Sequence, residues 1–222
     1  MEVVIRRART ADVQDIGRLI DLYAGPGRRL LKKSAVKLYE DVQEFWVAEE
    51  RPAVDAPRDA PEDAPPGSEG APRGAQEGAQ GGAQEGAQER AAEGEGGASG
   101  ASGARGRVVG CGALHVMWED LAEVRSVAVA PGYGGRGIGH RIVTRLLDTA
   151  RELGVRRVFC LTFEVEFFAR HGFRPILGTP VSPEVYEELL RSYDEGVAEF
   201  LDLDRVKPNT LGNTRMLLRL ED

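Results

Sequence analysis

VRSVAVAPGYGGRGIGHRIVTRLLDTAREL, residues 124–153, decides the fold of this chain. It opens as a strand: Val124, Ser126 and Ala128 alternate with Arg125, Val127 and Val129, and Pro131-Gly132 closes the alternation. From Arg136 the apolar period becomes helical, with Ile138, Ile142, Val143, Leu146, Leu147, Ala150 and Leu153 on one face. Gly132, Gly134, Gly135, Gly137 and Gly139 fill the junction, with no acidic residue among them. A strand that hands bare backbone to a helix N-terminus is suited to holding phosphate. Unpaired N–H groups and the positive end of the helix dipole both point at the anion there. Arg136 adds a charged contact. A flexible turn that happens to be glycine-rich is the plain alternative, and the confinement of the glycines to the junction of two strong elements argues against it.

The spacing of Gly132, Gly134 and Gly137 matches G-x-G-x-x-G, but a dinucleotide site needs an acidic residue ending the next strand. Arg157 to Thr162 is that strand and holds none. A P-loop fails as well, because His140-Arg141 stands where Lys and Ser/Thr are required. Tyr133 to Gly139 instead resembles the pyrophosphate loop of the GCN5-related N-acetyltransferases (GNAT family), with Gly134 where that loop usually begins with Arg or Gln. Phe167-Phe168-Ala169-Arg170-His171-Gly172-Phe173 is similar to the family's later F-Y-x-x-x-G-F segment, with Phe168 in place of the tyrosine that often protonates the departing thiolate. The resemblance implies an α/β (α+β) GNAT fold: a mixed, mostly antiparallel sheet with a parallel central strand pair, flanked by helices. It also implies acetyl-CoA as cosubstrate and no metal. Cofactor contacts would come from Val127, Ala128 and Val129 on the strand, from Gly134, Gly135, Arg136, Gly137, Ile138 and Gly139 in the loop, and from Phe168.

Composition divides the 222 residues. From Arg51 to Gly106 there is no aromatic residue, no Leu, Ile or Met, and one Val, Val54. That stretch holds 13 of the 28 glycines and 6 of the 12 prolines, with repeated Gly-Ala-Gln-Glu units, so it cannot bury enough apolar surface to offset its ordering entropy. It is predicted to be a disordered insert, residues 51–106, within one acetyltransferase-like domain formed by residues 1–50 and 107–222. The insert carries −5 of the formal charge of −7, leaving a nearly balanced remainder with no basic excess for nucleic acid. Cys111 and Cys160 each fall in a predicted strand and read as buried small hydrophobes. The first ten residues lack a signal peptide, and no apolar run approaches 18 residues, so the expectation is a cytoplasmic protein with no membrane partner. A homodimer is compatible with the sequence.

Taken in order, the chain begins with a strand at Val3-Val4-Ile5, then a helix capped by Thr10 with Val13, Ile16, Leu19, Ile20 and Tyr23 as its stripe. Gly25-Pro26-Gly27 stops it, and Arg28 to Lys33 forms a basic loop. Ser34 caps a second helix through Val42, and Phe45 to Ala48 is a strand. Val108 to Val116 resumes as strand, so the insert reads as an enlarged hairpin loop, whose closure cost rises only logarithmically with length. Arg157 to Thr162 is predicted to lie parallel to Val124–Val129 by the right-handed crossover rule. Glu164 to Arg170 is a short helix, Phe173 to Ile176 a strand, Pro183 to Arg191 a helix capped by Ser182, Tyr193 to Leu203 helical, and Thr214 to Leu220 the last strand.

Acetyl transfer from a thioester to an amine requires a neutral amine, a polarised carbonyl and a proton for the thiolate. Glu123, placed just before the central strand, is the candidate base, directly or through a water. An exposed strand-end carboxylate is the plain reading of the same residue, and the family's habit of placing a glutamate base on this strand favours the first. The backbone N–H of Val127 is the candidate oxyanion donor. With Phe168 unable to donate, Thr162 or an ordered water takes the thiolate proton role. None of the three histidines has a spacing that suggests metal.

Within the family the chain is most similar to the short, stand-alone N-acetylglutamate synthases. The carrying segments are Leu30 to Ser34 with Leu38 to Glu40, Phe45 to Glu49, Gly110 to His115, Leu161 to Glu164 and Val206 to Arg215. This implies L-glutamate as acceptor, the first step of arginine biosynthesis, and carboxylate binding by Lys32, Lys33, Arg125, Lys207 and Arg215, with Lys33 and Arg215 at the best-matching positions. Two other classes stand beside it: an acetyltransferase for protein N-termini or another amine, and a non-catalytic acyl-CoA-binding module. The basic residues speak against the first, Glu123 against the second.

Overall fold

A computed structural model describes residues 2–24, 30, 32–51, 106–203 and 213–220. Seven strands form one sheet in the order β1-β2-β3-β4-β5-β7-β6. They are β1 (Glu2–Arg7), β2 (Phe45–Arg51), β3 (Arg107–Trp118), β4 (Leu121–Val129), β5 (Arg157–Thr162), β6 (Arg174–Pro175) and β7 (Thr214–Arg219). Every neighbouring pair is antiparallel except β4 and β5, which run parallel as the crossover rule predicts. The helices are α1 (Val13–Asp21), α2 (Ala35–Glu40), α3 (Ile138–Glu152), α4 (Val165–Ala169), α5 (Pro183–Leu189) and α6 (Glu195–Phe200).

The crossover helix α3 lies across β2, β3 and β4, burying Ile138, Ile142, Val143, Leu146, Leu147 and Ala150. Gly112 makes the approach close, since a Cβ there would stand 2.7 Å from Ile142. Leu153, expected on the buried stripe, is instead exposed. The helix ends one residue earlier, with Gly154 at φ +79° and Val155 donating back to the Ala150 carbonyl. Those bonds satisfy carbonyls that the last turn would otherwise orphan, and Val155 is buried beside them. On the opposite face, Leu121, Phe159 and Leu217 meet Leu189, Val197, Phe200 and Leu201 in a second apolar cluster beneath α5 and α6. Buried charge near the first helix is neutralised locally, with the Arg6 guanidinium donating to both Asp12 and Glu49 at 2.7–3.1 Å.

Several expectations need correction. Thr10 does not cap α1: residues Thr10–Asp12 form a 3-10 turn, and the Asp12 carboxylate accepts the Arg9 N–H. The second helix is short, ending at Glu40, with a separate 3-10 turn at Val42–Glu44. Tyr193 to Leu203 is not one helix, because Asp194 is extended and its side chain accepts from Gly196 and Val197, so α6 starts at Glu195. The central strand begins at Leu121 rather than Val124, which puts Glu123 inside it. Its alternation also breaks: Arg125 pairs with Ala113 and Ala128 with Cys111, so Ser126 and Val127 share the place opposite Gly112. Ser126 sits at φ +56°, the extra residue of a β-bulge. Cys111 and Cys160 are buried free thiols, as expected. The predicted insert, apart from its two end residues, lies outside the described residues. So do Lys207 and most of the loop before β7. No helix among the described residues is long and apolar enough to cross a membrane.

Candidate active site

The site grows from a parting of strands. β4 and β5 pair only at Leu121–Arg157, Ala122–Val158 and Glu123–Phe159. Beyond Glu123 the two diverge, and residues 124–129 have no ladder partner on their β5 side. The bulge at Ser126 lies in this segment, next to Val127. Past Val129 a 3-10 turn at Pro131–Tyr133 leads into the glycines. Gly135 and Gly137 have φ of +74° and +70°, with no atom within 4 Å of where a Cβ would stand. L-residues avoid that conformation, and the open space is what a close-lying ligand would fill. The first N–H groups of α3 follow at once, without intrahelical acceptors. Arg136 lies over the Tyr133 ring at 4.9 Å, and Phe167 backs Gly139. Open strand, bare turn and helix start fit the pantetheine and pyrophosphate of acetyl-CoA. Ala128, Val129 and Ile138 pack their side chains into the core, so what they offer a ligand is backbone.

The chemistry-bearing side chains collect where the strands part. Glu123 is 5 % exposed and Arg125 8 % at its side chain. Arg125 donates to Asp194 at 2.8 Å, to Glu44 at 2.9 Å and to Asp41 at 3.2 Å, and its Nη1 lies 3.9 Å from Glu123 Oε2. His115, opposite Glu123 on β3, contacts Glu44 at 2.7 Å. Gly196 of α6 packs on Glu123 with no room for a Cβ, and Glu123 Oε2 has no hydrogen-bond partner among the described residues. Burial pushes the Glu123 carboxyl up to about 7, with the Asp194 charge pushing the same way and Arg125 opposing. Glu199, also buried, is driven to about 8 by burial and by Glu123. Burial alone would raise Asp194 too, but Arg125 overcomes it and holds that carboxylate at about 2. A carboxyl poised near neutrality in a closed site is what a general base for an amine requires.

The other expected residues fall as follows. Lys33 is largely buried 4.0 Å from Asp41, and its pKa is lowered by burial and by Arg125. Lys32 is exposed, 3.9 Å from Asp21, and both lysines line a groove between α1 and α2. Arg215 donates to the carbonyls of Gly178 and Phe200. The Thr162 hydroxyl accepts from the Glu164 N–H at 2.8 Å, which leaves its own proton to donate. Phe168 is a core residue packed on Phe173, so it presents little surface to a cofactor, whereas Phe167 stands at the loop. Asp41, Glu44, His115, Asp194 and Glu199 were not singled out from the sequence. They gather around Arg125 and Glu123 from segments distant from β4 in the chain, and only the Asp194 cap left a local signal.

The profile of the Acetyltransferase (GNAT) family matches residues 80–173. The chain is 50% identical over 217 residues to the amino-acid acetyltransferase of Mycobacterium tuberculosis, covering 98% of this chain and 94% of that protein. A solved M. tuberculosis structure, of a protein in complex with CoA and NLQ, aligns with TM-score 0.71 at 50% identity over 98% of this chain and 99% of that one. The N-acetylglutamate synthase of Neisseria gonorrhoeae, complexed with coenzyme A and N-acetyl-glutamate, shares the fold at TM-score 0.59 and 20% identity, over 100% of this chain but 36% of its own. With the parted strands and the glycine turn in place, these matches establish that the chain belongs to the GCN5-related N-acetyltransferase (GNAT) family.

Proposed function

We propose that this enzyme transfers the acetyl group of acetyl-CoA to the α-amine of L-glutamate, the first step of arginine biosynthesis. The observation that carries the reading is the position of Glu123, a buried carboxyl at the point where β4 and β5 part. Base, open backbone and phosphate turn then follow one another along a single stretch of chain. Bound acetyl-CoA supplies the thioester as electrophile. The glycine turn and the α3 N-terminus would hold its pyrophosphate, and the Val127 N–H would be the donor to the carbonyl oxygen where charge develops. Glu123 takes the proton that the ammonium must lose before attack. Thr162, across the gap on β5, has a hydroxyl proton to give. Lys32, Lys33, Arg125, Lys207 and Arg215 supply the positive charge a dicarboxylate needs, Arg by a bidentate grip and Lys as a point charge. The names of the mycobacterial and gonococcal relatives support an amino-acid acceptor. The test is thiol release from acetyl-CoA across free amino acids and peptides. L-Glutamate is expected to give the highest kcat/KM, and a peptide N-terminus that outcompetes it would overturn the reading.

A further inference from the structure

The two arginines expected to bind the acceptor are both engaged by one helix. Arg125 holds Asp194, the N-cap of α6, and Arg215 holds the carbonyl of Phe200, its last residue. Between these ends the first turn of α6 covers Glu123 through Gly196. Three buried atoms on these side chains have no hydrogen-bond partner among the described residues: Glu123 Oε2, Arg125 Nε and Arg215 Nε. Of the three carboxylates on Arg125, Asp41 and Glu44 each have a further partner at 3.0 Å or less, whereas the further neighbour of Asp194, His115 Nε2, lies at 3.9 Å. Asp41 meets Lys37 at 3.0 Å, and Glu44 meets His115 at 2.7 Å. Asp194 instead spends its other oxygen on capping α6. It is the member of the cage whose departure takes with it the helix turn that covers the base.

We propose that Asp194 is a specificity-determining residue of the acceptor site: its carboxylate holds on Arg125 the place that the acceptor's own α-carboxylate takes, so that α6 uncovers Glu123 only for an amine that brings a carboxylate with it. The geometry sets which carboxylate. Arg125 Nη1 lies 2.8 Å from Asp194 and 3.9 Å from Glu123. A carboxylate replacing Asp194 there places an amine on the adjacent carbon beside Glu123, whereas an amine several carbons away would not reach it. Amines without an adjacent carboxylate, such as peptide N-termini and amino-acid α-amides, leave Asp194 seated. The proposal rests on the amino-acid acetyltransferase reading above and adds the basis of its selectivity.

The experiment uses the full chain with saturating acetyl-CoA, and compares KM and kcat for L-glutamate and for its α-amide in the parent and in Asp194→Asn. Asparagine keeps the helix cap while giving up the charge. The KM for L-glutamate is expected to fall about tenfold, the scale of one charge-assisted contact. The preference for the acid over the α-amide is expected to narrow by a similar factor. An unchanged or raised KM in a folded variant, or a fall in kcat alone, would overturn the proposal. So would a parent that uses the α-amide as well as the acid. These failures leave acetylation of free amino acids standing, whereas a parent inactive on every free amino acid removes that reading and this one together. Should Asp194→Asn not fold, hydrogen exchange on the parent decides: the amides of residues 194–200 are expected to exchange faster with saturating L-glutamate and CoA than with CoA alone, and slower or unchanged exchange would overturn the displacement.

Discussion

Glu123 and Glu199 show how burial turns an ordinary side chain into a reactive one. Neither has the full complement of donors that would hold a carboxylate ionised, and each is driven upward chiefly by loss of water. For Glu123, in its proposed role as base, the consequence is catalytic. Below about pH 7 the carboxyl carries its proton and cannot accept another, so kcat/KM should fall on the acid side of that value. Glu123→Gln should lower turnover by roughly 10²–10⁴ and flatten the acid limb, with the loss shrinking at high pH where free amine is abundant. A variant that retained the limb would place the base elsewhere. For Glu199 the consequence is stability. Its folded pKa of about 8 lies above the ordinary 4.5, so between those values the folded protein binds more protons than the unfolded chain, and stability declines as pH rises through the window. Glu199→Gln removes that decline. Urea midpoints should show the variant gaining on the parent between pH 5 and pH 9 by an amount on the order of a few kcal/mol, whereas an equal difference at both pH values would show that the carboxyl ionises freely.

β4 carries most of what the site needs at the scale of one element. Its first three residues anchor the parallel pair, its third residue is the proposed base, and a bulge against β3 falls in the segment that has parted from β5. The bulge depends on Ser126 tolerating φ +56°. Ser126→Gly should keep the bulge, because glycine adopts that conformation without a Cβ clash. Ser126→Val should cost about 1–2 kcal/mol or more and raise the KM for acetyl-CoA, since a branched side chain resists the left-handed region and would straighten the strand. Equal KM values in the two variants would show that the bulge does not position the cofactor backbone.

Across the whole molecule, the proposed separation between core and insert rests on composition. β2 and β3 are antiparallel neighbours whose ends stand together, with Glu50 opposite Arg107. A short turn can therefore join them. Deleting residues 52–104 should leave acetyl-transfer activity and melting temperature close to those of the parent. Loss of cooperative melting on deletion would show that the segment contributes to the core despite lacking aromatic, Leu, Ile and Met residues.

The sequence by itself determined the strand–glycine–helix unit, the parallel partner strand, the capping of α2 and α5 by Ser34 and Ser182, and the family. All of these rest on local periodicity, on turn chemistry, or on segments read along the chain. Glu123 was legible as a candidate base, but its surroundings were not. A single sequence does not say that Asp194, 69 residues away, closes on Arg125, nor that Asp41 and Glu44 meet the same guanidinium from the other side of the sheet's sequence order. The bulge escaped for a related reason, because an extra residue shows only against the partner strand. Charge pairing and strand register belong to pairs of distant segments, and burial decides the ionisation of a carboxyl. Tertiary structure alone brings those segments together and takes the water away.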